Sequence, residues 1–432
     1  MKKIILEKLL TPYLTWCARR IIQINQPIVV GVTGSVGKSS AKEAIYLVLK
    51  TKFSTRRNQG NLNNEIGLPL AVIGDINPKN DLIKWLQTIF RGFLLTLKKS
   101  RHYPEILVLE MAVDRPGDMK HLLSIAPCKV GVITSIGVSH LAFFQSEKDI
   151  FREKSRIFKN LPQDGLAIVN FDDPFLRGAK TKGKNKVFTF GFRTGADIQA
   201  TEMKIGYAKE IGEGVSLAQG TSFRVNYNNI FLPVRLPLVI SQAQVYSALA
   251  AMAVGLYFGM NLVEIATALK KFQSLPGRMR LLRGKKGNII IDDTYNAAPN
   301  SVKMALSTLA LIKTKKKTLI LGDMLELGSI EEAAHRNLAR IIHPVVSKIF
   351  LVGERTLNTH RELRRLGFAK DKIFHFKNST NLAKKIGKII GSGEVILVKG
   401  SQGARMEKIV EKLVVEKEKK NLTRQEKEWK KK

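Results

Sequence analysis

Cysteine is scarce in this sequence: its 432 residues include only two, Cys17 and Cys128. Two thiols cannot build a disulfide framework or a zinc site by themselves, so a reducing compartment, the cytoplasm, is expected. Long apolar runs are also missing, because no stretch reaches the roughly 18 consecutive apolar residues of a membrane-spanning helix. Hydrophobic residues nevertheless make up 44% of the chain, which is ordinary for a folded protein whose length allows two or three domains.

Acidic residues are few beside the basic ones: 36 Asp and Glu stand against 72 Lys and Arg, which gives a net charge of +36. Such an excess suits a protein that binds nucleic acid, anionic lipid or a polyanionic substrate. The basic residues are scattered, however, and no motif that reads RNA or DNA accompanies them. We therefore favour a general lysine bias, and no specific nucleic-acid partner is expected.

Residues 1–26 mix apolar side chains with cations at helical spacing, as in Ile4, Ile5, Leu9 and Leu10 beside Lys8. The segment lacks the long uncharged core and the cleavage site of a signal peptide. It is either a helix packed on the following domain or an interfacial helix on anionic lipid, peripheral to the inner face of the membrane. The packed helix is the commoner arrangement and the one we favour.

A glycine-rich turn at residues 31–40, Gly-Val-Thr-Gly-Ser-Val-Gly-Lys-Ser-Ser, lies between an apolar run typical of a buried strand and a helical stretch. This arrangement directs free backbone N–H groups at one point and predicts an anion site. Position 32 is valine where strict P-loop spacing has glycine, but the flanking strand and helix favour a nucleoside triphosphate site over a chance Gly-Lys-Ser. The predicted phosphate-binding residues are Gly34, Ser35, Gly37, Lys38, Ser39 and Ser40, with Lys38 on the β- and γ-phosphates and Ser39 on Mg²⁺.

Apolar runs that end in polar residues alternate with helical stretches along most of the chain. This predicts an α/β fold with parallel βαβ units, whose ligands lie beyond the carboxyl ends of the strands. We expect a central P-loop domain over 27–275 with a mostly parallel sheet and an antiparallel patch within 187–238. A Rossmann-like α/β domain should follow over 276–415, with the substrate in the cleft between the domains. Residues 416–432 are mostly Lys, Glu and Arg, which is typical of a solvated tail.

Several stretches between residues 28 and 412 resemble, in order, the Mur ligases, the ATP-dependent amide ligases of peptidoglycan precursor synthesis. The similarity is greatest to the branch that adds D-alanyl-D-alanine, because residues 292–297 read Asp-Asp-Thr-Tyr-Asn-Ala and 321–328 read Leu-Gly-Asp-Met-Leu-Glu-Leu-Gly. The Asp-Asn-Pro-Arg signature of the diaminopimelate- or lysine-adding branch is absent. The matching stretches are 33–39, 61–69, 110–111, Gly137 with His140, 153–154, 277–278, 292–301, 321–328 and 398–401.

The resemblance implies a reaction in which ATP phosphorylates a peptide carboxylate. An amine such as D-alanyl-D-alanine then attacks the acyl phosphate, giving an amide, ADP and phosphate. Phosphoryl transfer between two anions depends above all on alignment and charge neutralisation. The resemblance therefore implies ATP and two Mg²⁺ ions as cofactors, and a peptide-carboxylate acceptor with an amino-acid or dipeptide amine as substrates. We expect a monomer.

Family members also imply roles for individual residues. Glu110 would hold Mg²⁺ with Ser39, and His140 would ligate or support a second Mg²⁺. Lys154 matches the lysine that this family carbamylates, a change that turns a cation into an anionic metal ligand. From the residues alone, Glu110 or His140 could instead cap local structure, and Lys154 could be an ordinary helical lysine.

The second domain is implied to complete the site when it closes. Arg278 would reach the γ-phosphate and, with Lys38, His140 and Lys154, form the catalytic set. Asp292 and Asp293 would meet the ribose of ATP or orient closure. The remaining predicted residues are Gln244 and Asn296 for the nucleotide, and Asn61, Asn63, Asn64, Lys399 and Arg405 for the substrate, although asparagine-rich turns are often only turns.

The sequence departs from the family pattern at several places. Only the 26-residue segment precedes the first strand, where these ligases usually carry a uridine-nucleotide-binding domain. Ala243-Gln244 replaces a usual His-Asn pair, Gln402 stands where arginine is common, and Arg156 stands where an acidic residue is usual. We therefore expect intact ATP chemistry with altered acceptor recognition. The alternatives are a ligase acting on a lipid-linked, folate-like or archaeal-wall acceptor, or a nucleotide-dependent protein that binds polyanions.

Overall fold

The computed structural model describes residues 2–60, 62–79, 81–137, 143–179, 181, 185–207, 218–425 and 429. Nine strands form the sheet of the first domain. They are β1 (Ile28–Thr33), β2 (Thr55–Arg57), β3 (Ile106–Glu110), β4 (Val130–Ile133), β5 (Leu166–Asn170), β6 (Lys186–Gly191), β7 (Ile198–Tyr207), β8 (Ala218–Tyr227) and β9 (Ile230–Leu236).

The strands of this sheet lie in the order β2-β3-β1-β4-β5-β6-β7-β8-β9. Pairing is parallel from β2 to β7 and antiparallel from β7 to β9. The predicted parallel sheet and antiparallel patch are thus confirmed, and both belong to one continuous sheet. Val32 pairs with Glu110 in the register of β1 and β3, so the carboxyl ends of these strands meet at one edge.

Helices cover both faces of this sheet because the side chains of each buried strand alternate between the faces. Val30 and Val32 pack with the interior of α2 and α8, whereas Val29 packs with α1, α3 and α5. The helices of the first domain are α1 (Lys2–Asn25), α2 (Lys38–Leu49), α3 (Gly67–Ile73), α4 (Leu82–Leu97), α5 (Asp118–Ile125), α6 (Glu147–Lys154), α7 (Arg156–Lys159), α8 (Gln242–Tyr257) and α9 (Leu262–Leu269).

Helix α1 packs on the domain, as the favoured interpretation of residues 1–26 predicted. Leu14, Cys17 and Ile21 have no solvent exposure and belong to the core on that face of the sheet. Arg19 donates from Nε to the carbonyl oxygen of Ser124 (2.9 Å) and from Nη2 to its Oγ (2.7 Å). These described side chains of α1 are therefore used within the protein, whereas Trp16 on the same helix is half exposed.

The second domain contains a six-stranded sheet in the order β10-β11-β15-β12-β13-β14, in which only the pairing of β10 with β11 is antiparallel. This confirms the predicted second α/β domain. Its strands are β10 (Arg280–Arg283), β11 (Ile289–Asp293), β12 (Lys317–Gly322), β13 (Lys348–Val352), β14 (Ile373–Phe376) and β15 (Val395–Lys399). Its helices are α10 (Pro299–Leu311), α11 (Glu331–Ile342), α12 (Leu357–Arg365), α13 (Ser379–Ile389) and α14 (Glu407–Leu413).

The described part of the charged segment after residue 415 packs on the second domain, so the prediction of a solvated tail is wrong there. A 3-10 helix spans Glu416–Asn421, and Leu422 and Arg424 after it are buried. Arg424 donates to the carbonyl oxygens of Thr294 (3.1 Å) and Tyr295 (2.6 Å). The charge composition of the segment did not predict this packing, because a single arginine that donates to backbone carbonyls can anchor a segment that is otherwise solvated.

Candidate active site

The loop between β1 and α2, residues 34–37, is called the phosphate loop below. It is held in place by the segment that follows β4. Ser35 donates its backbone N–H to the carbonyl oxygen of Ser135 (2.8 Å), and Thr134 Oγ1 donates to the carbonyl oxygen of Val36 (2.6 Å). Gly34 has φ +144°, and a Cβ there would lie 2.1 Å from Thr134 Oγ1. Only glycine fits this close approach. Val32, which departs from strict P-loop spacing, lies in β1 and its side chain is buried in the core.

Helix α2 starts at Lys38, and Gly37 before it has φ +89° and supplies no side-chain cap. The N–H groups of the first turn therefore point into the loop without intrahelical acceptors, which is the arrangement that binds phosphate. Lys38 Nζ lies over the same loop and donates to the carbonyl oxygen of Gly34 (2.9 Å). Burial lowers the pKa of Lys38, while the charge of Glu110 opposes that shift.

Glu110, the last residue of β3, places a buried carboxylate beside this loop. Its Oε1 accepts a hydrogen bond from Asn63 Nδ2 (3.0 Å), whereas Oε2 accepts none within the described chain and lies 3.8 Å from Lys42 Nζ. Burial opposes ionisation, but the charges of Lys42, Lys38 and Arg278 together keep the pKa of Glu110 below its ordinary value. The carboxylate is therefore ionised, and its Oε2 accepts no hydrogen bond from the described residues.

Oε2 of Glu110 is therefore available as a ligand for Mg²⁺. Nucleotide-bound Mg²⁺ usually takes one or two carboxylates and completes its shell with phosphate oxygens and water. Among the described residues, no group of three or more His, Cys, Asp and Glu could hold a metal on its own. A single carboxylate beside a phosphate loop therefore suits a metal that arrives with its nucleotide.

Lys154, at the end of α6, reaches the phosphate loop from another element. The side chain is buried, and its Nζ donates to Ser35 Oγ (3.2 Å). Burial, with the charge of Lys38, lowers the pKa of Lys154 well below its usual range. Ser35 Oγ in turn bridges to the backbone of Gly137, so a buried amine lies directly against the loop.

Arg278 connects the second domain to the phosphate loop. Its Nη2 donates to Ser39 Oγ (3.2 Å), and its guanidinium lies over the ring of Tyr295, 4.0 Å from the centroid. Gln244, at the start of α8, donates from Nε2 to the carbonyl oxygen of Arg278 (3.0 Å) and to Ser274 Oγ (2.5 Å). These contacts hold the beginning of the second domain against the first.

The two aspartates at the end of β11 have different surroundings. Asp292 has no exposure and accepts hydrogen bonds from Gly277 N–H (3.2 Å) and from both N–H and Oγ1 of Thr294. Burial raises the pKa of Asp292 to about 6. Asp293 instead forms an ion pair with the buried Lys399 (2.5 Å), which also donates to the carbonyl oxygen of Asn296.

A cavity of about 160 Å³ lies between the domains and brings many of the predicted residues together. Ser39 accepts a hydrogen bond from Arg278, one of the lining residues. The predicted residues that line the cavity are Ser35, Gly37, Lys38, Ser40, Gln244, Arg278, Asp293, Asn296 and Lys399.

Other predicted residues have local partners. Asn64 Oδ1 accepts from Gly67 N–H (2.9 Å) at the start of α3. Arg405 pairs with Glu407 (2.5 Å) and lies over Trp429. Asn61 and His140 lie outside the described residues.

Sequence reasoning missed two residues that shape the Glu110 site. Lys42 is buried and donates to the carbonyl oxygen of Asn58 (2.8 Å). The Asn58 side chain accepts from Glu110 N–H (2.9 Å) and donates to its carbonyl oxygen (3.1 Å). The spacing of Lys42, one helical turn after Lys38, was an available signal, since residues four apart share a helix face.

Comparison with known proteins agrees with this geometry. The Mur ligase middle domain matches residues 90–255, and the Mur ligase glutamate ligase domain matches residues 277–402. The UDP-N-acetylmuramoyl-tripeptide–D-alanyl-D-alanine ligase of Bacillus subtilis (strain 168) is 32% identical over 394 residues, covering 89% of this chain and 76% of that protein. The Escherichia coli (strain K12) enzyme of the same name is 28% identical over 389 residues, with 89% and 76% coverage.

Solved structures give the same result. The crystal structure of MurF ligase from Thermotoga maritima in complex with ADP superposes with a TM-score of 0.75 at 28% identity, covering 93% of this chain and 83% of that one. A MurF crystal structure from Acinetobacter baumannii gives a TM-score of 0.74 at 26% identity, with 93% and 79% coverage. With a nucleotide loop, a buried carboxylate and an arginine from the second domain meeting at one cleft, this chain belongs to the Mur ligase family of ATP-dependent, ADP-forming amide ligases.

Proposed function

We propose that this ligase joins a D-alanyl-D-alanine-type dipeptide to the terminal carboxylate of a peptide acceptor in cell-wall precursor synthesis. The observation that carries the proposal is a cavity whose walls combine the phosphate loop with Arg278, Asp293 and Lys399 of the second domain. The relatives that cover most of this chain carry names that specify this reaction.

The first step transfers the γ-phosphoryl group of ATP to the acceptor carboxylate. The N–H groups at the start of α2 hold the phosphates, and Lys38 and Arg278 supply positive charge from the two domains. Glu110 and Ser39 would hold Mg²⁺, which when bound neutralises charge on the phosphates. The carboxylate oxygen forms the new P–O bond as the bond to ADP breaks.

The second step consumes the acyl phosphate. The neutral amine of the dipeptide attacks the acyl carbon, the C–O bond to phosphate breaks with its electron pair leaving on phosphate, and the amine loses a proton. Water would compete for the same carbon, so closure of the second domain over the cleft protects the intermediate. The contacts of Arg278 with Ser39 and of Gln244 with Arg278 support such a closed arrangement.

Lys154 is proposed to act as a carbamate. Its neutral amine would attack the carbon of CO₂ and release one proton to solvent, which replaces a cation by an anion. A buried lysine favours the neutral amine that this addition needs. Its Nζ donates to the hydroxyl of Ser35, and the charge of Asp114 opposes the lowered pKa of Lys154 without cancelling it.

Phosphate release tests the proposal. Purified protein with Mg²⁺ and ATP should release phosphate only when both a peptide acceptor and D-alanyl-D-alanine are present, and mass spectrometry should show the amide. Lys38→Ala should release none above background. UDP-muramoyl-tripeptide is compared with the same peptide on a lipid carrier and with folate, which separates the acceptor classes. Phosphate release that responds to polynucleotide and to no acceptor would overturn the ligase assignment for this site.

A further inference from the structure

Helix α4 presents its large apolar side chains to solvent. The helix runs from Leu82 to Leu97, and Asp81 caps its N-terminus by accepting from Lys84 N–H (3.1 Å). Phe93 is 43% exposed, and six further apolar side chains have between 47% and 70% of their surface accessible: Leu82, Ile83, Leu86, Phe90, Leu94 and Leu97. We call these six residues the outer face of α4.

The inner side of α4 is made mainly of small residues. Thr88, Gly92 and Thr96 are buried there together with Trp85. A Cβ on Gly92 would lie 3.3 Å from Ile73 Cδ1 and 3.5 Å from Cys17 Sγ, so the helix lies close against α1 and α3. Tyr13 Oη also donates to the carbonyl oxygen of Ile89 (3.0 Å). A helix that packs only for the stability of its domain would point most of its leucines and phenylalanines inward. In α4, Leu95 packs against the core, whereas the six residues of the outer face are exposed.

The outer face is a continuous stripe with a cationic border. At 100° per residue its six members span an arc of about 120° of the helix surface. Lys84, Arg91 and Lys98 follow along one edge of that arc and are exposed. This is the pattern of a helix that lies in a membrane interface, with apolar residues in the acyl boundary and cations at the headgroups. No described helix is long and apolar enough to cross a bilayer.

The charge around the outer face distinguishes between two possible partners, a second copy of this chain and a lipid bilayer. Residues 82–104 contain five lysines and arginines and no aspartate or glutamate. Lys84 and Arg91 pair with Asp81 (3.4 Å) and Asp75 (3.6 Å), and the other three, Lys98, Lys99 and Arg101, are exposed. A second copy would bring the same cations against each other, because a two-fold interface matches a patch with itself. An anionic bilayer complements both the apolar stripe and its border.

We propose that the outer face of α4 is a membrane-docking surface, which holds the enzyme on an anionic lipid bilayer without spanning it. This surface is separate from the described core residues of α1, of which Leu14, Cys17 and Ile21 are used in packing. The proposal is independent of the acceptor and the amine that the active site uses.

Vesicle flotation with the full chain tests the docking surface. The protein should float with vesicles of phosphatidylcholine and phosphatidylglycerol in equal parts, and binding should weaken when salt rises from about 0.1 M to about 0.5 M. Leu86→Glu with Phe90→Glu should lower the bound fraction at least about tenfold. Lys84→Gln with Lys98→Gln should weaken binding to the anionic vesicles and leave that to pure phosphatidylcholine unchanged.

The matched control changes equally exposed apolar residues elsewhere. Ile230 and Phe231 on β9 are 57% and 60% exposed, and the pair Ile230→Glu with Phe231→Glu should float like the wild type. All variants should keep the wild-type melting temperature and vesicle-free phosphate release. Absence of wild-type flotation, or equal loss in the α4 and β9 variants, would overturn the proposal. So would a wild-type dimer in sedimentation velocity that Leu86→Glu with Phe90→Glu converts to monomer without any vesicle binding.

Discussion

The pKa of each carboxyl group in the cleft depends on two opposing effects, burial and the charges of neighbouring residues. Glu110 faces three cations and keeps a lowered pKa although it is buried. Asp292 accepts three hydrogen bonds, but burial, together with the charge of Asp293, raises its pKa to about 6. Carboxyl groups therefore behave differently at two places in the cleft: Glu110 at the phosphate loop is ionised, whereas Asp292 in β11 of the second domain titrates near neutrality.

At Lys154, replacement by alanine should abolish ligation, because the loop loses the anion that a carbamate would supply. A short-chain carboxylic acid such as acetate should partly restore turnover by supplying a replacement carboxylate. Lys148→Ala, an exposed lysine on the same helix, serves as the control and should behave like the wild type. Turnover is measured as amide formation with and without the acid. Wild-type activity of Lys154→Ala in CO₂-free buffer would show that no carbamate is needed.

Asp292 should make the second domain less stable as the pH rises. Its folded-state pKa of about 6 lies above its ordinary value of 3.8, so the folded state binds the proton more tightly than the unfolded state. The contribution of Asp292 to the unfolding free energy is therefore fully present below pH 4 and is lost as the pH rises through 6. Relative to Asp292→Asn, the wild type should lose about 3 kcal/mol of unfolding free energy between pH 4 and pH 7. Urea denaturation at both pH values measures this, and a pH-independent difference would contradict it.

At the scale of elements, the sequence predicted helices, strands and loops correctly where a local pattern, such as a glycine-rich turn or a regular spacing of apolar residues, determines the structure. The loop at 31–40 was predictable because Gly34 and Gly37 adopt positive φ between a buried strand and a helix. The orientation of α4 was not, since periodicity locates an apolar face without saying whether protein covers it. The docking of Arg424 was also invisible, because its partners are backbone carbonyls 129 and 130 residues away.

Arg424 anchors the C-terminal segment to the loop that carries Tyr295. Besides its two carbonyl acceptors, it pairs with the buried Glu407 (3.0 Å). Arg424→Ala should lower the unfolding free energy by about 2 kcal/mol, since Arg405 still pairs with Glu407. It should also raise the KM for ATP, because Tyr295 supports the guanidinium of Arg278.

Two measurements check this prediction. Chemical denaturation gives the stability, and initial rates at varied ATP give KM and kcat separately. Lys420→Ala, an exposed cation in the same segment, should change neither quantity. Lowered stability with an unchanged KM would mean that the segment supports the domain without positioning Tyr295.

At the scale of the whole molecule, the polar contacts of Arg278 with Ser39 and Gln244 connect the two domains at the nucleotide cleft. Arg278, Gln244 and Asp293 lie on walls that also include the phosphate loop. A nucleotide in this cleft contacts both domains, so its binding free energy stabilises their joint arrangement as well as each fold. The basic residues that line the cavity are Lys38, Arg278 and Lys399, against 72 in the whole sequence.

Arg278 should therefore control how much ATP stabilises the protein. At an ATP concentration 100 times its Kd, the wild type should gain about 2.7 kcal/mol of unfolding free energy. If Arg278→Ala raises Kd about tenfold, as loss of one phosphate contact predicts, the gain at that concentration falls to about 1.4 kcal/mol. Arg283→Ala, an exposed arginine on β10, should keep the full gain. Thermal unfolding with Mg²⁺ and ATP measures the shift for each protein. An unchanged shift for Arg278→Ala would show that the phosphate loop binds ATP without the second domain.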